Sequence, residues 1–385
     1  MNEAKGVLVV RGALMTKEVV IGLSGGVDSS VAAYLLQEDH QVRAIFMQNW
    51  QEAQDEEYCT IKEDSLDAIA VADCLGIDID IVNFAREYEE RVFRYFVQEY
   101  QKARTPNPDI LCNSEIKFDV FLKHAQQEGS DYIATGHYVR KEKRDGVYYL
   151  LKAKDQKKDQ TYFLYRLKPE QIAPALFPLG VLEKTQVRHI SADLNLPTAY
   201  KKDSTGICFI GERPFRKFLQ QYIPTTKGNM VTLEGEVVGE HIGLAFYTLG
   251  QRKGLGIGGR GDAWFVAGKN LADNSLIVVQ GHDHPALFSR EIVVADLSFT
   301  LGVAPEEGRY TVKVRYRTAD VPVDLSYENK EKSRIRLFFS EPVWAATPGQ
   351  SAVLYDGEVC LGGGIIESVA PLSTLRYITA AQCNS

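Results

Sequence analysis

No uninterrupted apolar run in these 385 residues approaches the roughly 18–20 residues that a bilayer-spanning helix requires. The opening segment, MNEAKGVLVVRGAL, is too short for a secretory signal and lacks its small-residue cleavage pattern. An intracellular, cytoplasmic protein with no membrane partner is therefore expected. Cysteine is scarce: six residues, at 59, 74, 112, 208, 360 and 383, are too irregular for a disulfide framework, and no Cys-x-x-Cys pair offers a structural metal site. A cysteine taken alone is best read as a small buried apolar residue, so only context can mark one as catalytic. No repeat of fixed period and no low-complexity tail is present, which excludes solenoids and arrays. Positive charge is in deficit, with 44 Lys and Arg against 51 Asp and Glu, a net −7 that as a whole-chain figure argues against a nucleic-acid partner. What remains is ordinary globular usage, 45% hydrophobic and 25% charged, over a length suited to two or three domains.

The first half alternates strand and helix. KEVVIGLS at 17–24 is a β-branched run ending in small residues, and SSVAAYLLQE at 29–38 has helical apolar spacing. Strands at 42–47 and 79–84 and helices at 65–76 and 87–103 continue the pattern. After the break TPNPD at 105–109 come another helix, the strand DYIATG at 131–136, a hairpin turn at Asp145-Gly146, and helical stretches around 160–176 and 183–194. This order predicts an α/β domain with a parallel sheet covered on both faces. From about residue 227 helical periodicity stops and short strands alternate with Gly-rich turns, which predicts a small β-rich domain followed by a closed barrel or sandwich.

GLSGGVDSS, Gly22 to Ser30, sits between the first strand and first helix. Its glycines let backbone amides turn toward an anion, and the helix adds the positive end of its dipole. The lysine of a G-x-x-x-x-G-K-[ST] loop is missing, as is the G-x-G-x-x-G dinucleotide fingerprint. A lysine-free S-G-G-x-D-S loop resembles that of N-type ATP pyrophosphatases, which cleave ATP between its α- and β-phosphates. The plain alternative is a Gly-rich turn before a capped helix.

Two cysteines have suggestive surroundings. In RTPNPDILCNSEIKF, prolines 106 and 108 stiffen a bend, and Asp109 and Cys112 stand just before a helix, with Lys117 nearby. A thiol so placed ionises more easily. Cys208 lies in KKDSTGICFIGERPFRKF among Lys201, Lys202, Arg213, Arg216 and Lys217. Asp109 suits a general acid/base, with a helix-capping aspartate as the plainer alternative.

Together with SGGVDSS, the strings FMQNW, EEYCT, ATGHYVR, KKDQTYFLY, TLGQRKGLGIGG, RYR, TPGQ and CLGGGII, in this order, resemble the MnmA family of tRNA-specific 2-thiouridylases over nearly the whole chain. The departures are a 14-residue leader and a loop at Arg260–Ala263 that is short for the family. The resemblance implies an adenine nucleotide α-hydrolase-like (PP-loop) catalytic domain over 1–226, with 1–14 a flexible extension or misassigned start. A central β-rich domain over 227–290 and a tRNA-contacting β-barrel over 291–385 would follow. It implies ATP contacts at Gly22, Leu23, Ser24, Gly25, Gly26, Val27, Asp28 and Ser29, with Met47 and Gly136 as pocket walls, and Mg2+ beside the phosphates.

The implied reaction adenylates the 2-oxygen of a wobble uridine in the tRNAs for Lys, Glu and Gln, then transfers sulfur. Cys208 would carry the persulfide, delivered by a cysteine desulfurase or sulfur-relay protein, and Cys112 would release sulfur by forming a disulfide with Cys208. Asp109 would act on the uracil ring. Asn107, Pro108 and Asp109 would line the base, and His137, Lys158, Asp159, Gln160, Arg315, Tyr316 and Gln350 would meet the tRNA. Plainer readings stand beside these: an Arg-Tyr pair on a strand is more often a solvated face, and His137 suits a satisfied histidine at a strand end. No metal site is assigned, but an iron–sulfur cluster on Cys112, Cys208 and an oxygen ligand such as Asp109 is a rival within the same site. Further rivals are an amide-forming synthetase that shares the loop and an RNA-binding chaperone that kept the fold.

The charge balance is local. Residues 51–67 hold seven acids and one base, whereas 200–228 hold six bases and two acids, and 310–317 add three bases and no acid. The total conceals two basic surfaces, so tRNA affinity is expected to fall as salt rises in a filter-binding titration; salt-indifferent binding would overturn this charge map.

Overall fold

The computed structural model describes residues 17–50, 60–203 and 215–371. Cys208 and the 1–14 leader lie outside them. Five parallel strands form the first sheet, in the order β3-β2-β1-β4-β7: β1 (Lys17–Gly22), β2 (His40–Gln48), β3 (Ile79–Asn83), β4 (Tyr132–Ala134) and β7 (Ala175–Leu176). Alternation along β1 and β2 explains the layering. Val19, Ile21, Ala44 and Phe46 face α1 (Val27–Leu36) and α2 (Thr60–Leu75), whereas Val20 and Ile45 join the core under the helical runs α3 (85–101) and α4 (108–127). Both faces are thus covered, as the near-continuous apolar strands require.

Three local expectations are corrected. The helix expected to begin after Cys112 begins at Pro108: the Asn107 side chain accepts from the Asp109 amide at 3.2 Å and caps the turn. Proline at the first helical position lacks only an N–H that would have no partner there, so Pro108 opens this helix rather than breaking it. Cys112 therefore lies one turn inside α4, where the backbone widens to i→i+5 bonding over Cys112–Val120. The stretch 160–176 is not one helix. It is two single turns, Thr161–Leu164 and Pro169–Ile172, before the edge strand β7. GLAFYTL is a tight turn at Leu244–Phe246, not a strand.

Asp145 and Gly146 take positive φ (49° and 85°) and join β5 (Val139–Arg144) to β6 (Val147–Lys152). This hairpin leaves the parallel sheet and adds to the C-terminal one. The middle unit is a four-stranded sheet in the order β10-β11-β8-β9, from β8 (Gly228–Val231), β9 (Val237–His241), β10 (Trp264–Asn270) and β11 (Ser275–Gln280). The C-terminal strands are β12 (Phe288–Phe299), β13 (Gly308–Lys313), β14 (Val321–Tyr327), β15 (Ile335–Trp344), β16 (Ser351–Asp356) and β17 (Val359–Pro371). Pairing of β12 with β17 closes them into a barrel, and β17 also pairs with β6. No helix among the described residues is long and apolar enough to cross a membrane.

Candidate active site

The turn after β1 is built for close approach. Gly25 has φ +69°, and a methyl group there would sit 2.2 Å from the Asp64 carbonyl oxygen of α2. One on Gly136, just beyond β4, would sit 2.7 Å from the Ser29 amide nitrogen. Glycine is therefore required at Gly25 to bring the loop against α2 and at Gly136 to bring the backbone against the first turn of α1. Ser29 Oγ donates to Gly26 O and accepts from Ser24 N (3.0 and 3.1 Å), and Ser30 Oγ donates to Gly26 O at 2.8 Å, which fixes the loop. No side chain caps α1 at Gly26, so its first amides keep the anion-binding character of a helix start. Met47, near the end of β2, packs against Gly22: its Cε lies 2.8 Å from where a methyl on Gly22 would stand.

Asp28, one third exposed, is not alone at the mouth of the loop. Lys184, from α5 (Lys184–Asp193), donates to both its carboxylate oxygens at 2.7 and 2.9 Å, and the Tyr138 hydroxyl donates at 2.7 Å. The same ammonium lies 2.7 Å from Asp203, which also pairs with Lys158 (2.7 Å) and Arg188 (2.6 Å). Burial by itself raises the Asp203 carboxyl, but donation from Lys158 and Lys184 outweighs it and holds the group well below the usual carboxylate range. Burial and the Asp28 charge push the Tyr138 phenol up, so it stays a donor. Three cations thus meet two carboxylates at the end of the parallel strands, where open α/β sheets bind ligands.

Sequence reasoning missed Lys184, Tyr138 and Asp203 as a group. Tyr138 and Asp203 lie inside quoted motifs, but Lys184 is one lysine on an amphipathic helix and carries no local signal.

A second cluster forms around α4. Its first turn packs on Thr161–Leu164, Asn113 Nδ2 donates to Phe163 O at 3.1 Å, and the Tyr316 ring lies 4.3 Å from that of Phe163. Gln350 Nε2 donates to Thr105 O at 2.7 Å. Residues 105–112, 158–163, 316 and 350 therefore converge, with Asn107 and Asp109 half-buried and Pro108 and Cys112 buried.

Three regions of the full sequence match family profiles. They are described as a tRNA methyl transferase HUP domain (17–212), a tRNA methyl transferase PRC-barrel domain (216–280) and an aminomethyltransferase β-barrel domain (289–366). The chain is 66% identical over 351 residues to the tRNA-specific 2-thiouridylase MnmA of Neisseria meningitidis serogroup A, covering 91% of this chain and 95% of that one. It is 60% identical to the Chromobacterium violaceum protein of the same name, over 91% and 92% of the two chains. The chain belongs to the tRNA-specific 2-thiouridylase family.

Within this family member, several residues that the resemblance assigns to RNA have interior partners. The Asp159 carboxylate accepts from Ala153 N, Thr161 N and Thr161 Oγ1 and pairs with Lys313 at 3.2 Å, both side chains being buried. Removing one member of such a pair costs about 3–5 kcal/mol, so Asp159 fastens the catalytic domain to the barrel. His137 is buried, with Nδ1 2.8 Å from Thr135 Oγ1. Burial, then the Lys117 charge, keeps its imidazole well below the ordinary value and so neutral.

Arg315 and Tyr316 do not sit on a strand: β13 ends at Lys313, and Arg315 donates inward to Leu249 O, Ala345 O and Thr347 Oγ1. Lys158 turns to Asp203, and the Gln160 side chain accepts from Tyr138 N at 2.9 Å, tying this stretch to the first cluster. Of the other cysteines, Cys360 is buried in the barrel junction, which pushes its thiol up to about 12, and Cys74 is exposed on α2.

Proposed function

We propose that this protein uses ATP to convert the wobble uridine of tRNAs for Lys, Glu and Gln to 2-thiouridine. One observation carries the reading most directly. A lysine-free anion loop, ringed by Asp28, Lys184 and Asp203, is linked through Lys158–Gln160 to the Asn107–Cys112 turn, in a chain that matches the family nearly end to end. The three parts are assigned to 1–226, 227–290 and 291–385.

The amides of Gly22–Ser29 would hold the phosphates of ATP, with Met47 and Gly136 walling the nucleotide. Asp28 is a hard oxygen donor, so it is the residue here that would hold magnesium, in exchange for part of its pairing with Lys184, and the metal would supply charge neutralisation for the phosphates. The uridine 2-oxygen would attack the α-phosphate; pyrophosphate departs, and the oxygen becomes a leaving group. A persulfide on Cys208 would add its terminal sulfur to C2, AMP would depart, and attack by Cys112 on the Cys208 sulfur would complete transfer and leave a disulfide. Asp109 would move the uracil proton, with Asn107 and Pro108 lining the base. The half-buried Lys158, Gln160, Tyr316 and Gln350 border the same region, while His137, Asp159 and Arg315 hold it in shape.

The test incubates the protein with ATP, magnesium, a cysteine desulfurase with cysteine as persulfide source, and an unmodified tRNA transcript, then digests the RNA for mass spectrometry. Thiouridine formed with stoichiometric AMP and pyrophosphate is expected. Pyrophosphate release without tRNA, and no thiouridine, would replace this reading with a synthetase. Full activity in anaerobically purified, iron-free protein would remove the cluster rival.

A further inference from the structure

The segment that leads into the Asn107–Cys112 turn is held from outside its own domain. Helix α3 is followed by Ala103, whose φ of +54° turns the chain away from the helix axis. The Ala103 carbonyl accepts from Lys269 Nζ at 2.6 Å, a lysine that β10 of the middle sheet carries into the junction. The next residue, Arg104, donates through Nη2 to Glu367 O on β17 at 3.1 Å. Thr105 then donates its amide to Pro348 O (3.2 Å), accepts at its carbonyl from Gln350 (2.7 Å) and shares a hydroxyl contact with Thr248 (3.2 Å). Gly349 has φ +94°, and a methyl group there would lie 2.8 Å from Thr105 N, so the barrel backbone presses directly on this segment.

Mechanical continuity follows from the sequence. Pro106 and Pro108 flank Asn107, each with φ fixed and neither with an N–H to anchor it. A shift of Thr105 therefore passes on to the Asn107 cap and the Asp109 turn instead of being absorbed by free rotation. The catalytic domain supplies this turn, but the other two domains set where it stands.

Resting on the proposed roles of Asp109 and Cys112, we infer that Lys269 is a positioning residue for thiolation: by holding the Ala103 carbonyl it fixes the Asn107–Cys112 turn against the nucleotide loop. Its ammonium makes this contact from a site where burial brings the group down to about 7, so the lysine is kept there against a desolvation cost. The Ala103 carbonyl satisfies a half-buried donor that has lost part of its hydration.

The experiment compares wild type, Lys269→Met and Thr248→Val in single-turnover thiolation, with hydrogen exchange measured on residues 103–112 and on the β10–β11 sheet. Methionine keeps the length and loses the donor. Lys269→Met should slow the turnover rate at saturating tRNA about 10- to 100-fold, as expected for misplaced reacting groups, while KM for tRNA stays within about twofold. Exchange at 103–112 should quicken without change in β10–β11. An unchanged rate, or a raised KM with an intact rate, would overturn the inference. If Lys269→Met loosens the whole middle sheet, Thr248→Val decides: a smaller rate loss with local loosening supports the clasp, and none refutes it. Absence of thiouridine with the wild type would strike the functional reading, whereas the exchange comparison would still judge the clasp.

Discussion

Lys184→Met should lower tRNA-dependent pyrophosphate release by about 100-fold or more, with tRNA affinity unchanged. The loop offers amides but no cation of its own, and the reaction builds charge on the α-phosphate and on departing pyrophosphate. Lys184, from a helix far along the chain, places an ammonium 2.7 Å from Asp28 and from Asp203 at the loop's mouth. A preorganised donor aimed at developing charge in a desolvated site contributes about 2.7–4 kcal/mol, which sets the expected size. Removing it also leaves two carboxylates facing one another, although Lys158 and Arg188 still pair with Asp203 and keep the fold. Lys184→Arg, which restores charge but not shape, should recover part of the rate. Pyrophosphate release that survives Lys184→Met would reduce Lys184 to a structural ion pair.

Cys208→Ser should bring thiouridine formation down to background while tRNA-dependent adenylation continues. Serine is nearly isosteric and cannot carry a transferable sulfur, so the substitution separates activation from transfer. The measurement is paired: thiouridine by mass spectrometry, pyrophosphate by coupled assay on the same sample. Loss of both would assign Cys208 a structural role. Cys112→Ser should also stop release of thiouridine, but AMP should still be released and the tRNA should accumulate joined to Cys208 through a reducible disulfide, because resolution and neither loading nor addition is blocked.

Much of the catalytic domain was legible because its signals are local. The spacing of GLSGGVDSS between an apolar strand and a helix demanded a tight glycine turn, and positive φ at Gly25 is its structural counterpart. Asp145-Gly146 marked a hairpin for the same reason. The pairing of Asp28 with Lys184 was not legible, since 156 residues separate them and only the fold brings α5 beside α1. Errors arose where one local rule outweighed another. Two prolines in TPNPD read as a break, yet Pro108 opens a helix that Asn107 caps, so Asp109 and Cys112 lie on helix. The alternation VKVRYR read as continuous strand, but Arg315 is drawn inward by Leu249, Ala345 and Thr347, and the strand ends before it. Burial of Asp159 was equally hidden, because a polar residue looks exposed until its partners are known, whereas the buried His137, bonded to Thr135, matches the plainer reading of a satisfied histidine.

The hairpin β5–β6 completes its hydrogen bonding with β17, the last described strand of the chain. During synthesis it emerges roughly two hundred residues ahead of that partner, a wait of about 10–40 s at ordinary elongation rates. For that interval its outer edge, with the apolar Leu150 and Leu151 beside it, is an open template for another nascent chain. Truncation before β17 would make that transient exposure permanent, and a shortened chain should be recovered as aggregate instead of an isolated catalytic domain.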